Sequence, residues 1–210
     1  SDFFLDNDNE PIRFNSNENY EYFSSRGITL TGKYQADGAE PFILLGAANG
    51  QQFIFNIDDV QIIDNQALAI ELSTNNIILN ISNCMFRSNT NGGIHVDYQS
   101  DIMPSINIDN TQFITNSSDP IDVAKSTLNI SNTTFEGNMG SYSGGIYGSN
   151  DSYIQIDSSL FSNDTSGSGG AIRCDNSTLL IDNTEFSNNV GYNQGGAIYL
   201  YQSISRIVSC

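Results

Sequence analysis

Apolar and polar residues alternate in short runs through most of this chain, as in Leu79-Asn80-Ile81, Ile106-Asn107-Ile108, Leu128-Asn129-Ile130 and Ile154-Gln155-Ile156. A period of two sends alternate side chains to opposite faces and marks short strands rather than amphipathic helices. Five residues past the second apolar position, across a polar corner of Ser or Asp and Asn, a Phe starts a second strand. A third opens at a Gly-Gly step, with Ile94, Ile146, Ile172 and Ile198 expected to point inward. Aligned on the aromatic, the chain pairs Ile62 with Asn65, Phe86 with Asn89, Phe113 with Asn116, Phe135 with Asn138, Phe161 with Asp164 and Phe186 with Asn189. These anchors lie 24, 27, 22, 26 and 25 residues apart. Strand-like text at such a period predicts a solenoid whose units bury their apolar faces only against one another. The expected fold is all-β, a parallel β-helix with three short strands per coil and about eight coils of 22–27 residues. The anchor aromatics should stack inward, with the Asn or Asp three residues later bonding to corner backbone.

Phe-x-x-Asn in phase with Gly-Gly-Ala-Ile resembles the repeats of the polymorphic outer membrane proteins. Those are bacterial surface autotransporters, and similar repeats occur in ciliate and other protist surface proteins. The full tetrapeptide stands at Gly169–Ile172 and Gly195–Ile198, a shortened Gly-Gly-Ile begins at Gly92 and Gly144, and the resemblance covers roughly residues 53–202. It implies a right-handed β-helix and a surface role in adhesion or as a passenger stalk, and it carries over no catalytic residues. Three departures are visible. Ile62 replaces Phe, Asp164 replaces Asn, and Pro120-Ile121 stands where glycines are due, so the third corner of that coil is expected to be tighter or distorted.

Residues 1–26 lack the repeat and are rich in Phe and Tyr, and they are read as an N-terminal cap or an inter-subunit arm. Residues 27–210 are read as the β-helix, entered irregularly at Gly27–Gly32 and returning on Phe42–Leu45. The sequence does not start with Met and shows no signal peptide or membrane span, so it is read as processed or an excerpt, with no membrane insertion. The last coil restarts at Ile204 and Ile207 and stops at Cys210, before any anchor or cap. An open end predicts either a longer parent chain or head-to-tail stacking of copies into a filament, so the expected partners are flanking repeats or other copies end to end.

With 38% hydrophobic residues, no Trp, 18 Gly and 27 Asn, the core must be a narrow column and most of the chain surface. The formal net charge is -17 and the seven Lys and Arg are scattered singly, which argues against nucleic acid and anionic membranes. An acidic shell can collect divalent cations such as Ca2+, but a solvated face is the simpler reading, and no cofactor is expected. Seven Asn-x-Ser/Thr sequons begin at Asn80, Asn116, Asn129, Asn132, Asn150, Asn163 and Asn176. They point to N-linked glycans and an extracellular or cell-surface location. The outward strand positions Asn80 and Asn129 suit a glycan, and Asn176 is expected to carry one too. Asn116, a ladder position, should face inward.

Chemistry is sparse. Asp58, Asp59, Asp109, Asp157 and Asp182 are the candidate acids for a polysaccharide-cleaving β-helix, and the last three fall near one corner of successive coils. Ser82 and Ser131 occupy the equivalent place elsewhere, which fits turn formation as well as catalysis. His95 is the only histidine and is read as a surface residue, outward beside Asp97 or along the ladder. Cys84 and Cys174 lie too many coils apart to bridge and are read as buried thiols. Cys210 matches the coil position of Cys84 and is a candidate for an intermolecular bond. The longer polar corners, Tyr98–Ser105 and Gly140–Ser143, are the places for binding loops, with host or cell-surface glycans as possible ligands. The favoured reading is a non-enzymatic extracellular scaffold or adhesin, a rigid glycosylated rod. The alternative is a carbohydrate-active β-helix enzyme or carbohydrate-binding module.

Overall fold

A computed structural model describes residues 12–16, 28–31, 41, 43–47, 53–73, 76–96 and 103–210. The described chain is all strand and turn, wound into a parallel β-solenoid of about six turns with three strands per coil. Much of the irregular first coil and of the corner at 97–102 lies outside the described residues, as does most of 1–26.

Three sheets run along the axis. The first, here the Asn face, stacks seven strands: Phe53–Asp58, Ile77–Ser82, Ser105–Asp109, Thr127–Ser131, Tyr153–Asp157, Thr178–Asp182 and Ile204–Val208. The Phe face stacks Ile28–Thr31, Val60–Ile63, Met85–Arg87, Gln112–Ile114, Thr134–Glu136, Leu160–Ser162 and Glu185–Ser187. The Ile face has eight strands, Ile12–Ser16, Ile43–Ala47, Ile70–Leu72, Ile94–Val96, Ile121–Ala124, Ile146–Ser149, Ile172–Asp175 and Ile198–Tyr201. Ile12–Ser16, from the segment without repeats, pairs parallel with Ile43–Ala47 at the end of this sheet. A short fourth sheet, unforeseen in the sequence, joins Thr165–Ser168 to Val190–Gln194.

The period-two pattern explains the core. On the Asn face, Leu79, Ile106, Leu128, Ile154 and Leu179 fall in one buried column, and Ile81, Ile108, Ile130, Ile156 and Ile181 in another. On the Phe face, Phe86, Phe113, Phe135, Phe161 and Phe186 stack with centroids 4.8, 4.8, 4.5 and 5.1 Å apart and nearly parallel planes. The first four rings are completely buried, and Phe186 in the last described coil is half-buried. The Ile-face anchors Ile94, Ile121, Ile146 and Ile172 close the third side. Each ring removed from water contributes roughly 1.5–3 kcal/mol, and each buried Ile or Leu of the other columns contributes on the same scale.

The described corners turn on residues with positive φ. After the Asn face these are Asp59, Asn83, Asn110, Asn132, Ser158 and Asn183, with φ between 45° and 55°. After the Phe face they are Asp64, Ser88, Thr115, Gly137, Asn163 and Asn188. After the Ile face they include Lys125, Asn150, Asn176 and Gln202. Asn and Asp tolerate this conformation because their short polar side chains bond locally, which explains their abundance.

Pro120 does not distort its coil. Ile121 stays in register with Ile94 before it and Ile146 after it, and the Pro120 carbonyl accepts from the amides of Gly93 and Ile94. Pro120 merely lacks a donor, and the parallel ladder continues through its carbonyl. The preceding Asp119, in the glycine position, is buried and accepts from the backbone amides of Tyr142 and Ser143 at 2.8 and 2.7 Å. Burial raises its pKa even against those two donors.

Candidate functional site

The anchor amides form an internal ladder. Asn65, Asn89, Asn116, Asn138 and Asp164 are fully buried or nearly so. From Asn89 to Asp164, each Oδ1 accepts from the backbone and side-chain nitrogens of the previous coil's anchor, as Asn116 Oδ1 does from Asn89 at 3.1 and 3.0 Å. Each Nδ2 reaches back to the previous anchor's carbonyl, Asn89 to Ile62, Asn116 to Phe86, Asn138 to Phe113 and Asn189 to Phe161, all at 2.9 Å. The expected bond to backbone thus crosses between coils.

Asp164 departs from this pattern chemically. Its Oδ1 accepts from Asn138 N and Nδ2 at 2.8 and 3.0 Å, whereas its buried Oδ2 meets no donor. By the ladder's repeat, Oδ2 occupies the place of an Nδ2, facing the Phe135 carbonyl and Asn189 Oδ1, which are both acceptors. Only the neutral acid, with its proton on Oδ2, satisfies that place. Burial, with the charge of Glu136 adding to it, pushes the Asp164 pKa up to about 7.

The corners sort the sequons. Asn132, Asn150, Asn163 and Asn176 are all exposed, positive-φ corner residues. Asn80 and Asn129 do point outward, but both are half-buried members of a second amide row, Asn56-Asn80-Asn107-Asn129, linked Nδ2 to Oδ1 at 2.7, 2.8 and 2.9 Å. Their nitrogens are therefore already engaged. Asn116 faces inward.

The corner acids form one column, Asp58-Ser82-Asp109-Ser131-Asp157-Asp182. Their carboxylates bond to the next coil. Asp58 Oδ1 accepts from Ser82 and Asn83, Asp109 Oδ1 from Ser131 and Asn132, and Asp157 Oδ1 from Asn183. Those hydroxyl and amide donors hold the Asp109 carboxyl below its usual range. The next corner position carries a hydroxyl or thiol that turns back on the carbonyl two residues earlier, in Thr111, Thr133, Ser159 and Thr184. Cys84 and Cys210 make the same turn to Ser82 and Val208. Cys84 and Cys174 are buried free thiols, with pKa values pushed by burial to about 11 and about 12, and Cys210 is exposed. His95 Nδ1 lies 3.3 Å from Asp122 Oδ2 on the next coil, while Asp97 lies outside the described residues. Among the described residues, no three metal-ligating side chains gather, and no helix is long and apolar enough to cross a membrane.

A different site stands on the Ile face. Residues one past the anchor isoleucines, Tyr147, Arg173 and Tyr199, align on adjacent strands, and Asp175 aligns with Tyr201 two positions on. With Ser149, Asn150 and Asn176 they line an open depression of about 350 Å³. The Arg173 guanidinium lies 5.4–5.5 Å from the ring centroids of Tyr142, Tyr147 and Tyr199. It donates from Nε and Nη2 to Asp175, the shortest bond being 2.7 Å, and this pairing raises its pKa. Tyr147 donates its hydroxyl to Asp175 Oδ2 at 3.1 Å, and burial, with the Asp175 charge behind it, raises its pKa to about 12. Tyr142 comes from the Gly140–Ser143 corner and stacks on Tyr147 at 4.7 Å. The buried Asp119 fixes that corner, so it positions Tyr142 from a coil away. The sequence signal for this cluster is the residue following each anchor isoleucine, an outward position that the reading of inward residues passed over.

No known family model matches the chain, and neither does any curated protein or solved structure. The structure is a parallel β-solenoid, as in a β-helix repeat protein, and no family match supports the polymorphic outer membrane proteins in particular.

Proposed function

We propose that this chain is a non-enzymatic scaffold of the cell exterior, a rigid glycosylated β-solenoid used in adhesion or in a surface coat. The observation that carries the reading is the use of its polar side chains. Inward amides, corner carboxylates and corner hydroxyls are bonded from coil to coil, while four exposed sequon asparagines stand on the corners between them. Such a body gains stiffness from each repeat and offers its outer faces for display. End-to-end contact with flanking repeats or further copies belongs to the same proposal. Its support is the parallel stacking of strand on strand along three sheets. Cys210, an exposed thiol, is the candidate to lock such a contact.

The test is peptide mapping after deglycosylation of protein secreted by a eukaryotic host, joined to surface labelling of intact source cells. Glycans are expected at Asn132, Asn150, Asn163 and Asn176 in preference to Asn80 and Asn129, and none at Asn116. An occupied Asn116, or protein reachable only after lysis, would count against the reading. The enzymatic alternative is checked by incubating the chain with acidic and neutral polysaccharides, and release of new reducing ends would favour it.

A further inference from the structure

We propose that the depression formed by Tyr147, Arg173, Asp175, Tyr199 and Tyr201 on the Ile face is a binding surface for a neutral pyranose saccharide. A pyranose has one face of C–H groups and an edge of hydroxyls, and the depression offers counterparts to both. Tyr201 is 50% exposed and presents ring surface, with Tyr199 two residues before it on the same strand and Tyr147 two strands away on the same face. Aromatic side chains of this kind combine an apolar body with a polar tip, which suits a ligand that is itself amphipathic. Around them the Asp175 carboxylate, the Ser149 hydroxyl and the side-chain amides of Asn150 and Asn176 supply acceptors and donors for hydroxyls. The surface is also pre-organised. Arg173 is gripped by Asp175 and surrounded by three rings, and Asp119 holds Tyr142 against Tyr147. A rigid site loses little side-chain entropy when it binds.

Charge selects the neutral class. The one guanidinium in the site is already neutralised by Asp175, and the chain as a whole carries -17, so an anionic sugar or phosphate is repelled at long range and finds no free cation here. A long apolar peptide segment fits poorly, because the depression is open and its rim is polar.

The same chemistry has two sources. One is a free or cell-surface glycan. The other is the chain's own N-glycan, since Asn150 and Asn176 are sequon corners on the rim and Asn176 donates its backbone amide to the Tyr201 carbonyl at 2.8 Å. The second source rests on the glycoprotein reading above, whereas the first does not.

Two arms separate them. In the first, unglycosylated protein from a bacterial host is titrated with neutral oligosaccharides of glucose, galactose, mannose and N-acetylglucosamine, with sialylated and uronate-containing ones alongside. Tyrosine fluorescence is the readout, since the chain has no Trp. Binding of at least one neutral sugar is expected, weakened about tenfold or more by Tyr199→Ala and by Tyr201→Ala at unchanged melting temperature. In the second, protein glycosylated in a eukaryotic host is trimmed enzymatically, and the resulting fall in melting temperature is expected to disappear in Tyr201→Ala. Either result supports the proposal and names the source. The proposal is overturned if neither arm responds, if both variants bind as the parent does, or if anionic sugars bind better than neutral ones. Failure of the second arm alone, with no glycan found at any corner, would remove the glycoprotein reading and leave the site standing on the first.

Discussion

Two amide ladders run along the solenoid, one inside and one on the Asn face, and they use the same residue for different ends. In the inner ladder each Asn makes bonds to the side chain and the backbone of its neighbours, at 0–1% exposure for Asn65, Asn89, Asn116 and Asn138. In the outer row, Asn56 to Asn129 are half-buried and linked side chain to side chain. Removing an inner amide leaves buried donors and acceptors with no water to turn to, whereas removing an outer one leaves groups that water satisfies. Burial, more than the count of hydrogen bonds, therefore decides which ladder holds the fold together. The outer row is left free to vary, as it does at Gln155, Leu180 and Arg206 in register with it.

The largest test of this contrast lies beside the inner ladder. Phe135→Ala removes a ring stacked between Phe113 and Phe161 and should destabilise the chain by about 3–5 kcal/mol in denaturant unfolding. A loss below about 1 kcal/mol would mean that the stack is not the core. Asn138→Ala should follow, at about 2–4 kcal/mol, because the Phe113 carbonyl and the Asn116 amide lose their partner inside the protein. If that variant unfolds no sooner than Asn107→Ala, the inner ladder has no special weight.

Asp164→Asn sharpens the comparison by repairing the ladder's one chemical irregularity. The folded-state pKa of Asp164, about 7, lies above its unfolded value of about 3.9. Folding therefore favours the protonated acid. The stability this group contributes is full below about pH 4 and is lost as the pH rises to about 7. An Asn supplies the missing donor at every pH. The variant should accordingly be more stable than the parent by about 1–3 kcal/mol at pH 8, with the gain fading towards pH 4. A gain independent of pH, or a loss at pH 8, would show that folding does not raise the Asp164 pKa. Smallest is Asn107→Ala in the outer row, expected to cost less than about 1 kcal/mol, read by the same unfolding curves.

Much of this was legible in the residues. The two-residue alternation around Asn80, Asn107 and Asn129, the Phe anchors and the ladder positions set the strands, the three faces and the inward columns, and the structure places them there. Even the equivalence of Cys210 and Cys84 followed from phase, and the two thiols make the same turn. The Asp column was visible as a recurring corner, and its bonding to Ser and Asn of the next coil follows from the turn chemistry those residues share.

What the sequence by itself determined is thus whatever repeats: side chains that face the axis see the same apolar environment in every coil, so a local pattern is enough to specify them. Tertiary structure alone decided the outward neighbourhoods. Arg173 meets Tyr142, Tyr147 and Tyr199 only because coils of unequal length stay in register along the Ile face, and because Asp119 ties down a corner 23 and 24 residues ahead of it. It likewise decided that the outward amides of Asn80 and Asn129 are engaged with the preceding coil, while the corner amides of Asn150 and Asn176 rim an open depression. Contacts between coils join residues more than twenty positions apart, and the side chains that meet there are fixed by strand register and corner length, which no short stretch of sequence encodes.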